Sequence, residues 1–159
     1  MAICLDPDES KPVLYGLVLE GAADQPLMLA DRILLFHDPA RAERLVLEYG
    51  GAMNADKVDV SKPFFWCDIA QTLHLLQAGG VDSDACVLSA VNALLDLVRA
   101  TGVRIPPDTK AALHSIADYC TMNKDLTKYL EEEGDHSSEA LVGAVLWCVG
   151  LVAVKAKVV

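Results

Sequence analysis

Residues Ala140 to Val154 read ALVGAVLWCVGLVAV, fifteen consecutive positions without a charge and with no polar group beyond the indole of Trp147 and the thiol of Cys148. A helix this apolar cannot stay bare in water; protein or lipid must wrap it. At roughly 1.5 Å per residue it rises about 22 Å, short of the roughly 30 Å hydrocarbon core of a bilayer, so burial inside the chain's own fold is expected and a tail anchor flanked by Lys155 and Lys157 is disfavoured. Gly143 and Gly150 lie seven residues apart with Trp147 between them on the same face. Each glycine costs roughly 1 kcal/mol in a helix interior, and close approach of another helix is the usual compensation.

Upstream of this stretch the second half of the chain reads as helical. Segments 64–78, 84–101, 108–122, 124–133 and 138–155 carry helical spacing or boundary signals, separated by Gly79-Gly80, by Gly102 to Pro107 and by Gly134. In 84–101 the polar residues Ser89, Asn92, Asp96 and Arg99 fall on one narrow stripe, so this helix should touch neighbours on most of its sides.

The first third has a different character. Residues 1–12 hold a polar, proline-punctuated lead-in and read as loop. Val13 to Leu19 and Leu27 to Phe36 favour extended chain and pair best as an antiparallel hairpin with a longer loop, Gly16 marking a bulge or a close approach. Asp38-Pro39 starts a helix whose Ala42, Leu45, Val46 and Tyr49 share one face, and Gly50-Gly51 ends it. Lys57 to Val60 alternates as a short third strand would. The expected fold is α+β: a small N-terminal antiparallel sheet of two or three strands with one helix, packed on a C-terminal cluster of four or five helices in which 84–101 and 138–155 are the buried members. One domain over 1–159 is expected, with a strand, strand, helix part at 1–62 and a helical part at 63–159.

Composition fits a folded chain of 159 residues, 53% hydrophobic and 23% charged. The formal net charge of −10 divides into −6 over residues 1–60 (eleven acids, five bases) and −4 over 61–159 (twelve acids, eight bases). Such a field repels nucleic-acid phosphates and anionic lipid surfaces and favours a basic protein partner. The five cysteines, Cys4, Cys67, Cys86, Cys120 and Cys148, form no C-x-x-C pair and suit free thiols in a reducing cytoplasm. The start Met1-Ala2-Ile3-Cys4-Leu5-Asp6 lacks the basic and apolar regions of a secretory leader, in keeping with a cytoplasmic location.

No phosphate-loop, dinucleotide, nucleophile-elbow or zinc-helix signature occurs, and neither a cofactor nor a metal site is expected. Asp6, Asp8 and Ser10 copy the opening of a calcium loop, but Lys11 replaces its glycine and Leu17 its closing glutamate. If 64–78 is helical, Cys67, Gln71 and His74 share a face, yet Cys67 and His74 stand about 10 Å apart along the axis and cannot share a hydrogen bond. His114 and Asp118, four residues apart, can meet as an acid/base couple. His37 and His136 read as boundary residues. Glu131, Glu132, Glu133, Asp135 and Glu139 place five acids within nine residues at a helix junction, a patch suited to steering a basic partner. The function expected is that of a non-enzymatic acidic binding or accessory protein, inhibitor- or immunity-like toward a basic partner. The alternative is an enzyme with a dispersed site that uses His114, Asp118 or Cys67.

Overall fold

Arg32–Phe36 reads RILLF, and its four apolar side chains are all buried. A strand with one face in water would alternate, so a continuous apolar run means that both of its faces are covered. Ile33 and Leu35 belong to the larger core cluster with the helices, whereas Leu34 and Phe36 pack with Leu27, Ala42 and Leu45 in a second cluster. The computed structural model describes residues 1–5, 11–19, 25–49, 63, 65–132 and 137–159.

In chain order the strands are β1 (Ala2–Cys4), β2 (Leu14–Gly16), β3 (Val18–Leu19), β4 (Gln25–Pro26), β5 (Met28–Leu29), β6 (Arg32–Phe36), β7 (Trp66–Asp68) and β8 (Ala156–Val158). The helices are α1 (Ala42–Tyr49), α2 (Ile69–Ala78), α3 (Asp84–Ala100), α4 (Pro107–Met122), α5 (Leu126–Glu131) and α6 (Ser138–Lys155). The fold is therefore mixed α and β. The main sheet runs β5-β6-β2-β1-β7 with β8 also paired to β6, and β3 and β4 form a separate two-stranded ladder.

The sheet departs from the expected two or three antiparallel strands: it has six and is mixed, with β1 parallel to β7 and β8 parallel to β6. The additional strands come from places read otherwise. β1 lies in the lead-in read as loop, yet Ala2, Ile3 and Cys4 are all buried. β7 lies at the start of a segment read as helix, and β8 follows the last helix directly. The two N-terminal apolar runs do pair antiparallel, β2 with β6, while β3 pairs with β4, which lies in the stretch between the runs that was read as loop. The second run, however, folds back on itself, β5 against β6, through a turn at Ala30-Asp31 in which Ala30 takes φ +54°. Lys57 to Val60 and the Gly50-Gly51 stop lie outside the described residues.

Side-chain caps set the helix starts. The Asp38 carboxylate accepts from the Ala40 N–H at 2.9 Å and opens a 3₁₀ turn, Pro39–Arg41, that runs into α1. Asp68 accepts from the Gln71 N–H at 2.9 Å, so α2 begins at Ile69 and not at residue 64. Asp125 caps α5 and Ser137 caps α6 in the same way. α3 buries eight residues, including Val87, Val91, Leu94, Leu95 and Val98, and its Asn92 and Arg99 stay exposed on the polar stripe. α2 stops at Gly79, φ +73°, where a Cβ would stand 2.7 Å from Thr127 Oγ1 and 3.0 Å from Thr127 Cα.

Two substitutions test this backbone. Gly79→Ala should lower stability by more than about 1 kcal/mol, because an L side chain is strained at that φ and also meets the α5 backbone. Ala30→Gly should raise it by about 0.5–1 kcal/mol by relieving a left-handed alanine. Denaturant midpoints at unchanged m-value measure both, and a stabilising Gly79→Ala or a destabilising Ala30→Gly would contradict the turn geometry.

Candidate functional site

Helix α6 is fixed at both ends. Ser137 Oγ accepts from the Ala140 N–H at 3.3 Å, and Ser138 Oγ donates to the Leu76 carbonyl at 2.5 Å, tying the first turn to α2. At the far end Arg32 donates to the Val154 carbonyl at 2.8 Å, and Lys155 Nζ meets Asp31 Oδ2 at 2.8 Å. The Lys155 ammonium, by hydrogen bond and by charge, holds the Asp31 carboxyl below the usual carboxylate range. This contact therefore contributes above the ordinary carboxylate pKa of about 3.9 and is lost as pH falls through the lowered value. Exposed and screened by salt, it orients the helix end more than it stabilises the fold.

Between these clamps the side chains divide sharply. Leu141, Ala144, Val145, Cys148 and Val152 are buried, one face at helical spacing. The opposite face carries Gly143, Leu146, Gly150, Ala153 and Val154, all exposed, with Trp147 half-buried at its edge. Leu146 is 49% and Val154 69% exposed. A Cβ built at Gly143 or at Gly150 meets nothing within 4 Å. The expectation that this segment is shielded by its own fold needs correction: the chain covers one face only, and the glycines sit on the other. By length and composition α6 could cross a membrane, and 28% of its residues are buried inside the protein.

The sequence candidates for chemistry stay apart. Cys67 lies on β7 and not on a helix with Gln71 and His74, so the shared-face geometry does not arise; its Sγ faces the Ala90 carbonyl at 3.9 Å. Burial, with further contributions from Cys4, Asp68 and Cys86, pushes the Cys67 thiol up to about 12. Burial likewise raises Cys120 and Cys148 to about 11, and it raises Cys4 and Cys86 as well. A nucleophilic thiol needs the opposite shift. Among the described residues all five cysteines are free thiols.

His74 is exposed on α2. His114 is half-buried on α4 with its Nε2 enclosed and without a hydrogen-bond partner, while Asp118 is exposed, and no hydrogen bond or ion pair joins the two. A shallow surface cleft lined by Met1, Val18, Pro26, Phe65, Ala93 and Leu97 among others encloses only about 10 Å³, room for little more than one water and far below the roughly 300–1,000 Å³ of ligand pockets, and it includes none of His114, Asp118 and Cys67. Among the described residues no group of three or more His, Cys, Asp or Glu is placed to hold a metal ion.

Of the acidic run, Glu131 and Glu132 are exposed at the end of α5, where Glu132 pairs with Lys128 at 3.5 Å, and Glu139 is exposed in the first turn of α6. Glu133, Asp135 and His136 lie outside the described residues, and His37 Nδ1 sits 2.9 Å from the Val13 carbonyl. The open face of α6 was missed as a site because the stretch is apolar all round, so no polar stripe marks which side turns outward. No family model, curated protein or solved structure matches this chain.

Alkylation of the native protein at mildly alkaline pH should modify Cys86, the one half-exposed thiol among the described residues, ahead of Cys67, Cys120 and Cys148. Mass spectrometry of the labelled peptides reads the order. Early modification of Cys67 would show that its thiol is accessible and activated.

Proposed function

We propose that this chain is a binding or accessory protein that works through its surface by engaging another protein. One observation carries the reading: α6 presents an uncharged apolar face, Gly143 to Val154, on a chain of net charge −10. Soluble proteins seldom leave a continuous apolar stripe uncovered unless something docks on it. The acidic surface supplies selection. A basic partner is steered toward Glu131, Glu132 and Glu139 and away from like-charged competitors, and the apolar face then supplies the area that is removed from water. An inhibitor- or immunity-like role against a basic protein suits this division of labour, and five free thiols suit a reducing, cytoplasmic setting.

The test compares three forms of the full-length chain as affinity baits: wild type, Leu146→Asp, and the pair Glu131→Lys with Glu132→Lys. Leu146 is 49% exposed, so the aspartate costs about 0.7 kcal/mol in helix propensity and on the order of 1 kcal/mol in lost burial, a loss the fold should survive and circular dichroism checks. The expected result is a basic protein held by wild type, lost by Leu146→Asp, and weakened both by charge reversal and by rising salt. Retention that is indifferent to Leu146→Asp would remove α6 from the function.

A further inference from the structure

We draw no further inference here: the strongest candidate, the open apolar face of α6 around Gly143, Leu146 and Gly150, belongs to the site already described, and nothing in the structure shows what covers it.

Discussion

Burial of β6 on both faces is the constraint from which the rest of the structure follows. Ile33 and Leu35 point into the helical core, and Leu34 and Phe36 into the cluster that holds Ala42 and Leu45 of α1. Once the strand is covered on both sides, its edges can be satisfied only by other strands, β2 and β5 antiparallel and β8 parallel. Pairing with β8 fixes the chain immediately after α6, and Arg32 and Asp31, at the start of β6 and in the turn before it, grip the last turn of that helix. The helix can then neither roll nor slide. Which of its faces enters the core is decided at β6, and the opposite face is left outside.

The parts of the fold that were readable from sequence are those whose determinants are local. α3 declares itself by a polar stripe at helical spacing, and α1 by Asp38-Pro39 and a four-residue apolar face; the structure places both within a few residues of expectation. The three short strands β1, β7 and β8 were not readable. Three residues hold no period, and each exists because of a partner far along the chain: Ala2 opposite Trp66, Ile33 opposite Ala156. Non-local pairing also explains the misplaced start of α2. Asp68 is a strong cap, but the apolar run in front of it resembles a helix until β1 is known to lie alongside.

For α6 the composition was legible and the orientation was not. An amphipathic helix announces its buried side; one that is apolar all round does not. Gly143 and Gly150 were read as points where another helix comes close, whereas nothing in the chain lies within 4 Å of a Cβ there and the buried side of α6 is Leu141, Ala144, Val145 and Cys148. The candidate chemical residues failed for a related reason. Linear spacing put Cys67 on one helix face with Gln71 and His74, but Cys67 lies on a strand and is buried in the sheet, where desolvation keeps its thiol protonated. His114 and Asp118 share a helix without sharing a bond.

The size of the open face bounds what can be built on it. Full burial of a leucine or valine side chain is worth about 1.5–3 kcal/mol, and Leu146 at 49% and Val154 at 69% exposure retain only part of that. With Trp147 and Ala153 included, this chain's side of the contact is worth about 4 kcal/mol, at the low edge of the roughly 4–15 kcal/mol that association costs in lost freedom. The apolar contact alone therefore sits near balance. At Gly143 and Gly150, where nothing in the chain stands within 4 Å of a Cβ, another backbone has room to come close, and the dispersion contacts available there are ones a larger residue would prevent.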